Sequence, residues 1–182
     1  ISSEPTSDRY RLIENFAHGG MGNVWRAEDE RIRREVAYKE LLPDILNDRE
    51  MVERFLEEAQ VTGQLEHPGI VPVYELGRDS KGAPFYAMKL VRGTTMRDAI
   101  KAYHAMPPDD GVRHLAFIKL LRNFIDVCHA IAFAHERGVL HRDLKPANVM
   151  LGDFGETMVL DWGLANLIDP LDAAVAAEET IG

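Results

Sequence analysis

The sequence predicts an α+β fold in two lobes: a five-stranded antiparallel sheet with one main helix, followed by a helical lobe. Three observations carry this. Residues 10–41 alternate apolar and polar side chains in short runs separated by turn residues, the period of half-buried strands. Residues 48–65 change to the three- and four-residue period of a single amphipathic helix. Residues 114–136 repeat that period over a longer run, after the break "MPPDDG" at 106–111.

Taken in order, "ISSEPTSD" is polar and contains proline, so residues 1–9 read as a disordered lead-in. "YRLIENFA", "GNVWRAEDE" and "REVAYKELL" then give three strands, broken by "HGGMG" and by the charged run "EDERIRR". In the first helix Met51, Phe55, Ala59, Thr62 and Leu65 share a face, and "HPG" at 67–69 stops it. Strands at 70–76 and 85–90, joined by the turn "GRDSKGAP", complete a lobe over 10–90. The second lobe, 91–182, opens with a short helix in "VRGTTMRDAIKAYH". Its long helix puts Phe117, Leu120, Leu121, Phe124, Cys128, Ile131 and His135 on one face, which is therefore expected to be buried, Cys128 included, and Gly138 closes it. Beyond it, "VML" and "TMVL" flank "GDFGE" as the arms of a hairpin.

At 182 residues and 46% hydrophobic, the chain has the composition of a soluble globular protein with a real core. A formal charge of −9 with no basic stripe argues against nucleic acid as a partner. Apolar runs such as "AIAFA" fall far short of the roughly 20 residues a membrane helix needs, so no membrane segment is expected within these residues. The single cysteine excludes an internal disulfide and suits a reducing, cytoplasmic setting. With no signal peptide and no natural-looking stop, the chain reads as a fragment at both ends.

Several groups carry chemistry. "FAHGGMGNV" places three glycines between two strands, where backbone N–H groups can approach phosphate oxygens; no Gly-Lys-Ser/Thr follows, so it is not a Walker loop. Lys39 alternates with Ala37 and Leu41 and faces inward, where it needs an anion; Glu58 is the natural partner, with Glu57 left open. In "VLHRDLKPANVM", His141, Arg142, Asp143, Lys145 and Asn148 crowd five polar or ionisable groups into eight positions.

With that segment the chain resembles the eukaryotic-type protein kinase superfamily, in particular the serine/threonine kinases found in bacteria. The glycine loop, "VAYK", "FLEEA", "HPGIV", "YAMKLVRGTTM", "HRDLKPAN" and "LDWGLA" follow one another in family order from Tyr10 onward. The resemblance implies a protein-kinase-like two-lobe fold and transfer of the ATP γ-phosphoryl group to serine or threonine hydroxyls of a protein substrate. Lys145 agrees with the serine/threonine rather than the tyrosine branch. ATP with Mg²⁺ is implied, Mn²⁺ being able to stand in. Asp143 would accept the substrate proton, Lys145 would steady the transferring phosphoryl group, and Asn148 would hold metal. Lys39, paired with Glu58, would contact the α- and β-phosphates under the loop of Ala17, Gly19, Gly20 and Gly22. Val24, Ala37, Met150 and Leu160 would sandwich the adenine, with Met88 guarding the back pocket and Lys89 to Val91 as the hinge that bonds the purine.

Two aspartates compete for the second metal position: Asp153 in the familiar spelling Asp-Phe-Gly, and Asp161 in Asp-Trp-Gly. Five extended residues at ~3.3 Å each put Asp153 about 16 Å beyond Asn148, at the hairpin turn. The returning strand brings Asp161 back beside Asn148, so Asp161 is the expected ligand.

The chain departs from the family at Ala17, where the first glycine stands, at Trp162 in place of phenylalanine, and in stopping before the Ala-Pro-Glu element. The alternatives to an active kinase are a pseudokinase or truncated nucleotide-binding scaffold, and a small-molecule phosphotransferase of related fold, which "HRDLKPAN" disfavours. The fragment alone is expected to be inactive, and regions outside it could tether the parent protein to a membrane. Arg142 is expected to bind a phosphorylated activation segment, with Thr180 as the one hydroxyl available after Asp161.

Overall fold

The computed structural model describes residues 9–18, 22–108, 111–163 and 165–167. They form two compact units: one of the residues up to Glu66 together with Val71–Val91, the other of His67–Ile70 together with the residues from Arg92 onward.

The first unit is an antiparallel sheet of β1 (Tyr10–His18), β2 (Gly22–Asp29), β3 (Arg34–Leu41), β4 (Val73–Arg78) and β5 (Pro84–Lys89), in the order β1-β2-β3-β5-β4. Gly22 lies opposite Leu41, and a Cβ there would stand 2.0 Å from the Glu40 carbonyl oxygen. The glycine therefore lets β2 and β3 pair, a role independent of any phosphate. Strand β3 is buried on both faces. Val36 and Tyr38 join Tyr10, Ala27, Phe85 and Ala87, with the Tyr38 and Phe85 rings stacked at 4.6 Å. On the other face Leu41 meets Tyr86 together with Phe55 and Ala59 of helix α1 (Arg49–Gln64). Phe55 is fully buried, which stabilises the helix on the sheet by roughly 2–3 kcal/mol. The Asp48 carboxylate caps the helix by accepting from the Met51 N–H.

Two boundaries differ from expectation. Arg9, assigned to the lead-in, is held by both oxygens of the fully buried Asp29 and by Glu75, which also accepts from the Tyr10 hydroxyl. Residues 1–8 lie outside the described residues. The strand expected from residue 70 begins at Val73. Pro72 has no N–H to give a ladder, and Ile70 instead bridges to Val159 within the second unit.

That second unit holds β6 (Gly93–Thr95), α2 (Met96–His104), α3 (Gly111–Glu136), β7 (Val139–Leu140), a 3-10 turn at Pro146–Asn148, β8 (Val149–Gly152), β9 (Thr157–Val159) and β10 (Asn166–Leu167). Strands β6, β8 and β9 make one small sheet, and β10 pairs with β7. Neither β6 nor β10 was expected. Gly93 pairs with Gly152 at φ 143°, where a Cβ would meet the Leu151 carbonyl oxygen at 2.0 Å, so only glycine admits β6 to the sheet. The Thr95 hydroxyl caps α2 by accepting from the Asp98 N–H.

The long helix corrects the sequence reading. Its buried stripe is Asn123, Val127, Ala130 and Ala134, whereas Phe117, Leu121, Phe124 and Cys128 are exposed among the described residues. Small residues line the close approach: a Cβ on Gly69 would lie 3.0 Å from the Ala130 methyl carbon, and the Thr157 hydroxyl reaches both Asn123 and Asp126. Within the described residues, the face that packs is the one with small side chains that let Gly69 come near. No helix among the described residues is long and apolar enough to cross a membrane.

Candidate active site

In the first unit, β3 turns Lys39 onto the face that carries α1. The Lys39 Nζ donates to Glu58 Oε1 at 2.7 Å and Oε2 at 2.9 Å, and the two side chains are only 11% and 2% exposed. Glu57 is exposed, so Glu58 is the partner of the two glutamates. A third member was missed: the buried Tyr86 hydroxyl donates to Glu58 Oε1 at 2.7 Å. A tyrosine in an apolar strand reads as core, and only the fold shows where its oxygen ends.

Val24 and Tyr86 flank Lys39 in register, Ala37 lies opposite Met88, and Ala17 lies opposite Val24. Directly opposed residues share a sheet face, so Val24, Ala37, Lys39 and Met88 line one surface. Met88 also packs against the core beneath α1. At the expected hinge, Lys89 donates its backbone N–H to the Pro72 carbonyl at 3.0 Å. A purine would have to use donors other than that N–H, up to Val91. Gly19 and Gly20 lie outside the described residues, as does Thr180.

In the second unit, the turn between β7 and β8 gathers the polar cluster. His141 is buried and binds the two sides of the loop: its Nδ1 accepts from the Asp143 N–H at 3.3 Å, so Nε2 carries the proton and donates to the Leu160 carbonyl at 3.0 Å. Asp143 Oδ2 accepts from Lys145 Nζ at 2.6 Å and from Asn148 Nδ2 at 3.2 Å. The Asn148 amide also donates to the Asp143 backbone carbonyl at 3.0 Å. The Lys145 hydrogen bond, against some desolvation and helped by Asn148, holds the Asp143 carboxyl below the usual carboxylate range, and Asp143 in turn raises Lys145. Such a carboxylate stays ionised near neutral pH.

The hairpin separates the two competing aspartates. Asp153 sits in the turn after β8, its N–H on the Arg92 carbonyl, beside a Phe154 that is 96% exposed. On the return, Val159 pairs with Val149 and the Leu160 N–H donates to the Asn148 carbonyl at 2.8 Å, so Asp161 follows immediately beside Asn148. Asp161 is held at φ 60° and Arg142 at φ 62°, a backbone region costly for residues with a Cβ. Below them Trp162 is fully buried, its ring 4.6 Å from that of His141 and its Nε1 donating to the Val159 carbonyl at 3.4 Å. Met150 and Leu160, half-buried, flank this corner on β8 and after β9.

The donor set fits a hard divalent cation. Asn148 uses its amide nitrogen on Asp143, which leaves the carbonyl oxygen available to a cation, and the exposed Asp161 carboxylate takes no hydrogen bond or ion pair among the described residues. No group of three histidine, cysteine or acidic side chains capable of holding a metal occurs among the described residues. Two protein oxygens completed by phosphate and water suit a hard divalent cation.

Comparison with known proteins agrees with this chemistry. The family model for the protein kinase domain matches residues 10–180. The serine/threonine-protein kinase PknD of Protochlamydia amoebophila is 41% identical over 166 residues, covering 90% of this chain and 17% of that protein. PknB of Mycobacterium leprae is 36% identical over 179 residues, covering 97% and 27%. PknD of Chlamydia trachomatis serovar D is 38% identical over 159 residues, covering 86% and 17%. The chain thus spans only about a sixth to a quarter of the length of these relatives. Family membership implies use of ATP and a divalent metal. A match that runs from the first strand to residue 180 leaves one conclusion: the chain belongs to the protein kinase family.

Proposed function

We propose that the chain is the nucleotide-binding and catalytic part of a serine/threonine protein kinase that uses Mg²⁺, or Mn²⁺ in its place, with ATP. The observation that carries this reading is the convergence of Lys145 and Asn148 on Asp143, with Asp161 next along the hairpin from Asn148. Asp143 accepts the proton of a serine or threonine hydroxyl on a protein substrate. The freed oxygen attacks the γ-phosphorus, the bond to the β-bridging oxygen breaks, and ADP leaves. Lys145 stabilises the charge on the phosphoryl oxygens. Asn148 and Asp161 hold the divalent ion, which when bound shields phosphate charge from the incoming oxygen. Lys39, kept extended by Glu58, meets the α- and β-phosphates, and Ala17, Gly19, Gly20 and Gly22 cover them. For adenine contact the first unit offers Val24, Ala37 and Met88, with Lys89 to Val91 as the hinge, and the second unit offers Met150 and Leu160. The domain works in the cytoplasm, tethered or not by other parts of the parent protein, and nucleic acid is not its substrate.

The test is transfer from radiolabelled Mg-ATP by the full-length protein to a mixed protein substrate, followed by phosphoamino-acid analysis. Label on serine and threonine is expected, and Asp143→Asn should lower it by about 10²–10⁴-fold. ATP binding without transfer would leave a nucleotide-binding scaffold.

A further inference from the structure

We infer that Tyr86 is a positioning residue for the reaction, acting through Glu58 on Lys39; this rests on the reading above, in which Lys39 meets the phosphates. Glu58 Oε1 receives two donors at 2.7 Å, the Lys39 ammonium from β3 and the Tyr86 hydroxyl from β5. Lys39 and Tyr86 are directly opposed in the sheet, so the carboxylate of α1 is gripped from two neighbouring strands. All three side chains are buried.

The reason a second donor matters is competition. An ammonium has three N–H groups, and two of the Lys39 contacts go to the two Glu58 oxygens. When phosphate oxygens take a share of the Lys39 protons, a carboxylate served by lysine alone would be left buried and short of a donor, which is costly. The Tyr86 hydroxyl supplies a charge-assisted bond that does not depend on Lys39. Its place is fixed by packing: the ring lies 5.1 Å from that of Phe55 on α1, and Lys39 Nζ stands 5.5 Å over its face. Tyr86 therefore keeps Glu58, and with it α1, in register while Lys39 divides its protons between glutamate and phosphate.

The test uses Tyr86→Phe in the full-length protein, which keeps the ring and the Phe55 contact and removes only the hydroxyl. Affinities for Mg-ATP and for adenosine, which has no phosphates, are measured by calorimetry, and kcat/KM by transfer. Tyr86→Phe should weaken Mg-ATP binding and kcat/KM by about tenfold while adenosine affinity stays within twofold of wild type. Tyr38→Phe is the control, since that hydroxyl belongs to the opposite face of the sheet, in the cluster with Phe85; it should change none of these. Equal weakening for ATP and adenosine would mean a general packing defect and would overturn the inference, as would no change for either. If the wild type binds Mg-ATP but transfers nothing, the proposed function fails while the ATP-to-adenosine contrast still decides the role of Tyr86. No ATP binding by wild type overturns both.

Discussion

Two lysine–carboxylate contacts of nearly equal length sit in opposite surroundings. Lys39 and Glu58 meet at 2.7 Å with side chains 11% and 2% exposed; Lys145 and Asp143 meet at 2.6 Å with side chains 51% and 32% exposed. The first joins a strand to a helix nineteen residues on and shares its carboxylate with Tyr86. The second joins residues two apart in one loop and is open to water. Distance alone would rank them together, but burial makes them different devices. A buried pair is held because neither partner can go to solvent, so removing one strands the other. An exposed pair is screened and exchanges readily, so Lys145 is free to leave Asp143 for a phosphoryl group. In the proposed reading the buried contact keeps Lys39 near Glu58 even while phosphate shares its protons, and the exposed contact can be given up altogether.

The largest expected effect comes from the carboxylate that makes no close lysine contact. Asp161 takes no hydrogen bond or ion pair among the described residues, although its charge raises Lys145 from a distance, which suits the metal-binding role proposed for it. Asp161→Ala in the full-length protein should lower phosphoryl transfer by about 10³-fold, several kcal/mol of lost charge stabilisation. Asp153→Ala, at the exposed turn, should change it less than about twofold. Comparable losses from both would remove the distinction between the turn and the returning strand.

The second prediction separates the two pairs by stability. Glu58→Ala leaves a buried ammonium and a buried phenol without their acceptor, and should destabilise the domain by about 3 kcal/mol. Lys145→Ala should leave the melting transition where it is, because both groups can turn to water. Calorimetry on the full-length protein reads both. Similar shifts for the two variants would show that burial is not what distinguishes them.

Much of this arrangement was legible before the fold was known, and the gaps have physical causes. Lys39 and Glu58 could be matched because alternation fixes the face of a strand and helical period fixes the face of a helix. Asp161 could be preferred over Asp153 because an antiparallel hairpin can be counted. Tyr86 could not be found, since its apolar ring accounts for its position and nothing marks its hydroxyl. On α3 hydropathy picks out Phe117, Leu121 and Phe124, which are exposed within the described residues, whereas the contact with Gly69 is made by the small Ala130, which hydropathy does not mark. Arg9 was lost to a polar neighbourhood, although Asp29 and Glu75 wait for it far along the chain. Strands of two or three residues, such as β6 and β10, carry too few side chains to show a period.

The smallest effect is a change of pH dependence, and it tests the exposed pair on its own terms. Asp143 is depressed chiefly by the hydrogen bond from Lys145, with Asn148 adding to it. A proton acceptor works while ionised, so activity on the acid side falls as pH drops through the carboxyl's pKa. Removing Lys145 takes away the largest cause of depression and lets that pKa rise. The acid limb of kcat/KM for Lys145→Met should therefore move to higher pH than in wild type, in addition to a lower plateau from the lost phosphoryl contact. Normalising each profile to its own plateau isolates the shift. Asn148 still donates to Asp143 in the variant, so the carboxyl should remain partly depressed rather than return fully to its ordinary value. A limb that stays in place, or moves to lower pH, would mean that Lys145 does not set the ionisation of Asp143 in the working enzyme.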